Sequence, residues 1–552
     1  MVNITSNLNP SDQQARQEWE RAGVSLPQFD IPGMKAASAS QPRWIHFGAG
    51  NLFRAVHAPI AQSLLDQGLT DSGILVAETF DPDIIRQAYQ PYDDRFLQVV
   101  LHADGSMSSK LIASVVDSFP VEGQGSDWDR LASVFRQPSL QMVTATITEK
   151  GYALLDAHQQ PLPWITAEFE GGPSAASSAI GVITAMLLAR YQAGAYPLAM
   201  VSTDNFSRNG ERFEESVLLM AQRWQAGGFV DQGFLDYLQD SSKISFPLTM
   251  IDRITPNPAQ SVAQNLSDKG VEGMELIRTA KGTAMATFAN TEETWYWVVE
   301  DNFPGGRPPL EQAGVYLADR DTVNAADEMK VTGCLNPLHT ALAVFGMLLG
   351  YPTMSQTIGQ PDLKALVSRL GYDEDLPVVP DPKIFSPREF LRQVIEVRVP
   401  NPNMPDTPAR ISADTSQKMP IRFGRTIAKY MASSDLQLDS LKAIPLIIAA
   451  WLRLLVGRDG QGTDDSGQSI QLSPDPRMGD LQAILGQVTL GPSAVSAQEA
   501  QSILQPILAD ESIFGNDLNQ TVLAGEIAEL FAACCQGQGA VAATLHEQVA
   551  HF

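Results

Sequence analysis

From residue 43 the chain runs apolar, then turns, then becomes helically periodic. Arg43-Trp44-Ile45-His46-Phe47 leads into Gly48-Ala49-Gly50, and LFRAVHAPIAQSLLDQG follows with its apolar positions at helical spacing. A second apolar run, GILVAETF at 73–80, comes next. Strand, glycine turn, helix and strand make a βαβ unit, which predicts a parallel sheet. More strand-like runs lie at 96–103, 111–119, 142–148 and 198–203, with a helical pattern over 179–194 and mixed strand-like pieces over 273–300. Beyond about residue 315 helical patterns dominate. The pattern predicts a polar N-terminal arm (1–40), an α/β domain (41–315) and a mostly α-helical C-terminal domain (316–552). The tract 457–480 reads as a loop, and no internal repeat is visible.

Composition narrows the partners. The 552 residues carry a net charge of -25, which disfavours nucleic acid and anionic membrane surfaces. The apolar run 444–457 is broken by Arg453 and is short for a bilayer, so a buried helix is expected there. Cys334, Cys534 and Cys535 show no zinc-ligand spacing, nor do the seven histidines, so no metal is expected. Sparse cysteines and a start unlike a signal peptide predict a cytoplasmic protein, taken as a monomer.

Candidate chemistry begins at the first glycine turn. Gly48 and Gly50 would let backbone N–H groups approach a pyrophosphate at a helix N-terminus. The usual third glycine position holds Phe53, and Arg54 is a candidate phosphate partner, although it reads equally as a surface arginine. Glu78 ends the second strand, with Asp81 behind it. A carboxylate there accepts from ribose hydroxyls and repels a 2′-phosphate, which favours NAD, but a plain loop acid has the same appearance. Polar clusters follow three later strands at 148–152, 202–205 and 252–256. In the segment 327–339, Pro337 suits a first helical position, Asn336 an N-cap and His339 the same helix end. Lys330 would close the preceding helix, with Gly333 in the break. Spacing alone also fits a capped helix with a surface lysine.

Several stretches together resemble the polyol-specific long-chain dehydrogenases, the mannitol dehydrogenase family. They are GAGNLFRAVH (48–57), TITEKGY (146–152), STDNFSRNG (202–210), TMIDRITP (249–256), WVVEDNFPGGRPPLE (297–311), KVTGCLNPLHT (330–340) and RVPNPNMPDTPARISADTSQK (398–418). The resemblance implies that the α/β domain (41–315) is a Rossmann-type dinucleotide-binding domain and that the chain is an NAD-dependent, metal-independent oxidoreductase. It implies Lys330 as general acid/base, with Asn205 and Asn336 holding the carbonyl oxygen. His339, Asp252, Arg410 and Lys418 would position the substrate, and Asp327 or Glu328 would relay protons. Without a metal to polarise the alcohol, an amine must take its proton, and amides stabilise the developing alkoxide by their dipoles. One departure stands out: five residues separate Lys330 from Asn336 where the family pattern has four, and Gly333 is the extra one. A local bulge would absorb it.

The interval 398–429 holds six basic residues, Arg398, Arg410, Lys418, Arg422, Arg425 and Lys429, against Asp406 and Asp414. In so acidic a chain this favours a carboxylate-bearing substrate. The expected reaction interconverts D-fructuronate and D-mannonate. Fructose/mannitol and tagaturonate are the alternatives, and a catalytically silent sugar- or nucleotide-binding protein is the reading from another class.

Overall fold

The computed structural model describes residues 1–5, 13–492 and 494–552. Contacts divide the chain into two units: residues 1–102 with 106–324, and 325–552 with 103–105.

The first unit is built on six parallel strands: β1 (Trp44–Phe47), β2 (Ile74–Glu78), β3 (Val115–Pro120), β4 (Met142–Ala145), β5 (Leu198–Ser202) and β6 (Ile244–Ser245). Their order across the sheet is β3-β2-β1-β4-β5-β6. This is the doubly wound order, with its switch point between β1 and β4. Burial on both faces explains why the central strands read as largely apolar runs. Alternation then splits the core in two. Ile45, Phe47, Leu75, Val143 and Met200 pack on one face, and Trp44, Ile74, Val76, Met142 and Val201 on the other.

Three expectations need correction here. The described residues among the first forty, expected as an arm, pack into the first unit: Val24–Ser25 pairs with Met107–Ile112, and Trp19, Ile31 and Met34 are buried. The run 111–119 is two strands in different sheets, because the chain leaves one sheet at Ile112 and enters the other at Val115. The tract 457–480 contains a small hairpin, Gln461–Thr463 with Ser469–Gln471.

The second unit is mostly helical. Helix Ala443–Leu454 is buried at every position. Its N-terminus is held by the Glu374 carboxylate, which accepts from the backbone N–H groups of Lys442, Ala443 and Ile444 at 2.6, 2.7 and 3.0 Å. Arg453, the polar interruption in that apolar run, donates to the carbonyls of Thr463 and Cys534 at 2.9 and 3.1 Å. Two helical stretches, 163–194 and Arg320–Leu349, are long and apolar enough to cross a membrane by composition, and 78% of the apolar window of the second is buried in the protein.

Five π-helical turns occur among the described residues: Phe53–His57, Lys330–Cys334, Leu370–Asp375, Val394–Arg398 and Pro420–Gly424. Such turns are rare and often sit at functional sites.

Candidate functional site

The nucleotide end lies in the first unit, where β1 runs into Gly48. Gly48 adopts φ +108, and a Cβ there would come within 2.2 Å of the Thr146 carbonyl oxygen. Glycine is therefore required by both conformation and space. A Cβ on Gly50 would meet nothing within 4 Å, so open space faces the turn. The helix begins at residue 51, directly after the turn, and passes through the π turn Phe53–His57. Two glycines, open space and a helix N-terminus at the end of a central parallel strand fit a dinucleotide pyrophosphate.

The other residues expected there behave differently. Arg54 is wholly buried: its Nη2 donates to the Ala286 carbonyl at 2.8 Å, and its guanidinium lies 4.7 Å from the Phe96 ring centre. It serves the core and not a phosphate, because the π turn points it inward. Burial pushes its pKa down to about 10. Phe53 is also fully buried and stacks on His46, their ring centres 4.8 Å apart. Glu78 accepts from the Ala49 N–H at 2.8 Å, and from those of Phe80 and Asp81 at 2.8 and 3.1 Å. It ties the glycine turn to the end of β2. Asp81 is buried, and its Oδ2 accepts from the hydroxyls of Thr279 and Thr283, which ties that loop to the end of β2. Phe80, beside Glu78, is 73% exposed, with Lys281 Nζ 4.9 Å from its ring centre.

The ends of β4 and β5 are stitched together. Asp204 accepts from the backbone N–H groups of Ile147 and Thr148 and from the Tyr152 hydroxyl, each at 2.8 Å, while burial raises its pKa. Asn205 follows it and is exposed, whereas Asp252 is buried at the end of strand Thr249–Asp252.

In the second unit, the break expected at Gly333 falls instead at Leu335. Helix Arg320–Met329 continues into the π turn Lys330–Cys334 and then into helix Asn336–Leu349. The wide turn is closed by the Leu335 N–H donating to the Lys330 carbonyl at 3.2 Å. Leu335, at φ -134 and ψ -63, takes the bend, and Asn336 is the first helical residue and not a cap. The additional residue is thus held in a π turn. Gly333 belongs there because a Cβ would lie 2.2 Å from Val379 Cγ1 and 3.3 Å from Asp375 Cβ.

Lys330 is only 2% exposed, and its Nζ lies 3.8 Å from Asp327 Oδ1. Glu328 is engaged elsewhere, accepting from Lys429 Nζ at 2.7 Å. Of the two relay candidates, Asp327 is the one beside the amine. Asn336 and His339 are half-exposed on one face of the following helix. Arg410 spends its fork on both carboxylate oxygens of Asp406, at 2.7 Å each, and is 69% exposed. Lys418 donates to the carbonyls of Ile411 and Ala413, and burial followed by the nearby Arg422 lowers its pKa. Among the described residues no group of three His, Cys, Asp or Glu is placed to hold a metal ion.

Two family profiles match the chain in order: the mannitol dehydrogenase Rossmann domain over residues 42–312 and the mannitol dehydrogenase C-terminal domain over 322–535. D-mannonate oxidoreductase of Thermotoga maritima is 43% identical over 544 residues, covering 98% of this chain and 99% of that protein. The Pseudomonas fluorescens mannitol 2-dehydrogenase ternary complex with NAD and D-mannitol aligns at 25% identity and TM-score 0.67, covering 96% of this chain and 97% of that one. A substrate-free D-sorbitol dehydrogenase shares the fold at TM-score 0.77 and 22% identity, covering 95% and 98%. With both domains matched in sequence and the strand order that the first of them requires, the chain belongs to the mannitol dehydrogenase family of oxidoreductases.

Proposed function

We propose that this chain interconverts the keto sugar acid D-fructuronate and its alcohol D-mannonate, with NAD as coenzyme and Lys330 as general acid/base. The observation that carries the reading is the buried Lys330 amine with Asp327 beside it, on a π turn that leads directly to Asn336 and His339. The name of the Thermotoga relative supports the substrate pair.

When bound, the dinucleotide exchanges the hydride. Gly48 and Gly50 admit its pyrophosphate, and Glu78 disfavours a 2′-phosphate by like charge. Lys330 gives a proton to the keto oxygen in reduction and takes it back in oxidation, while Asp327 exchanges it onward. The amides of Asn336 and Asn205 stabilise the oxygen as charge develops. His339, Asp252, Arg410 and Lys418 orient the remaining substrate groups, with Arg410 turning from Asp406 to do so.

The test is an initial-rate comparison of fructuronate, tagaturonate and fructose with NADH and NADPH. Fructuronate with NADH should lead. Lys330→Ala should lower turnover by about 10²- to 10⁴-fold while NADH binding persists. Loss of only a few-fold refutes the lysine assignment. Leading activity on fructose favours the neutral-polyol reading, which the mannitol-bound structural relative supports. NADH binding without turnover of any sugar favours the silent protein.

A further inference from the structure

Arg422 stands in the π turn Pro420–Gly424. Its Nη1 donates to the Asn336 carbonyl at 3.2 Å and to the Thr340 hydroxyl. Those contacts use one corner of the guanidinium. The Nε and Nη2 groups have no hydrogen-bond or ion-pair partner among the described residues. No carboxylate offsets its desolvation, and burial alone pulls its pKa down to about 10. This occurs in a chain with 63 acidic residues against 38 basic ones. Arg410, by contrast, is paired with Asp406 through two bonds. Lys418 lies close enough to Arg422 for the two cations to oppose each other.

A desolvated cation without a counter-ion is costly to retain. Held at one corner and open along the Nε–Nη2 edge, an arginine is suited to a planar carboxylate, which that edge binds through two parallel hydrogen bonds. Its anchor is the backbone of Asn336, whose side chain is proposed to hold the keto oxygen. In a keto sugar acid the carboxylate lies roughly 5 Å from the keto carbon along an extended chain. Arg422 is fastened to the backbone of that same residue, so its open edge and the Asn336 amide are carried by one anchor.

We infer that Arg422 receives the carboxylate of the substrate through its open Nε–Nη2 edge and so sets the preference for a keto sugar acid over a neutral keto sugar. The inference rests on the keto sugar acid reading above. Nothing else in the segment offers an arginine fork with an open edge fixed beside Asn336; Lys418 supplies charge without that planarity.

The experiment compares fructuronate and fructose, with NADH, in the wild-type enzyme and in Arg422→Met and Arg422→Lys. The Met variant should raise KM for fructuronate about 100-fold, with a far smaller change in kcat. The fructuronate-to-fructose ratio of kcat/KM should fall by a similar factor. The Lys variant should recover part of the ratio. Thr340→Val, which removes one anchor and leaves the fork, should cost about tenfold or less in the same ratio. If the wild type prefers fructuronate and the ratio in a folded, NADH-binding Arg422→Met stays within threefold, Arg422 is only a structural clamp and the inference falls. If the wild type itself shows no preference for the acid, the substrate reading fails and takes the inference with it. Should the Met variant not fold, Arg422→Lys decides, because at least a tenfold loss of ratio is expected from the fork alone.

Discussion

Gly333→Ala tests the link between the π turn and the chemistry. The new methyl group would start 2.2 Å from Val379 Cγ1 and 3.3 Å from Asp375 Cβ, against an ordinary carbon contact of 3.4–4 Å. Something must yield by more than about 1 Å. Val379 is half-exposed and partly able to give way, so the cost should fall at the lower part of the usual overpacking range, about 1–2 kcal/mol. In a unit of this size that lowers Tm by about 2–8 °C. Lys330 and Leu335 are joined across the turn by a 3.2 Å hydrogen bond, so relief of the clash shifts the amine relative to Asn336. A displacement of about 1 Å at a reacting group costs up to about 100-fold in rate, and kcat should fall by at least tenfold. Thermal unfolding and initial rates measure the two effects. Val379→Ala, by removing the clashing methyl, should restore most of both in the double mutant. If Gly333→Ala leaves Tm and kcat unchanged, the packing argument is wrong. If Tm falls and kcat does not, the turn is structural and does not position Lys330.

Further outcomes follow from single groups. His57 is wholly buried, its ring nitrogens have no hydrogen-bond partner among the described residues, and burial takes its pKa from 6.5 to about 3. A base depressed in the folded state adds stability above the unfolded value that is lost as pH falls from about 6.5 towards 3; urea unfolding at pH 7 and pH 5 should show it, and His57→Leu should flatten the slope. Asp375 is fully buried with its carboxyl pushed well above the usual range by desolvation, so its contribution is greatest at low pH and is lost as pH rises past the ordinary carboxylate value. Asp375→Asn keeps the acceptor for the Thr426 hydroxyl (2.8 Å) and should be as stable as the wild type or more so at pH 8, whereas an equal loss at pH 5 and pH 8 would show that shape and not charge matters. Glu78→Ala frees the Ala49, Phe80 and Asp81 N–H groups and should raise KM for NADH about tenfold while narrowing the gap to NADPH; an unchanged coenzyme ratio would remove Glu78 from the ribose site.

What the sequence determined by itself was local and periodic. The largely apolar runs at 44–47, 74–78, 142–145 and 198–202, separated by helical patterns, pointed to buried parallel strands, because neither face carries the regular polar positions of a strand that is half in water. Gly48 between strand and helix marked a candidate coenzyme turn, and the family resemblance singled out the segment from Lys330 to His339 as the candidate chemical end. Tertiary structure decided which polar groups are free to act. Arg54 and Asp81 looked available in the sequence and are buried inside the fold, one by the inward turn of a π helix and the other against two threonines about two hundred residues away. Asp327, three residues before Lys330, has the helical spacing that puts two side chains on one face and lies by the amine, while Glu328, two residues before it, pairs instead with Lys429, a partner only the fold supplies. Arg422 was one cation among six until the fold fixed one corner of its guanidinium to Asn336 and Thr340 and left the Nε–Nη2 edge open. Periodicity records which face of an element is buried. Which hydrogen-bonding groups remain unspent depends on partners brought from distant parts of the chain, and only the packed structure supplies those.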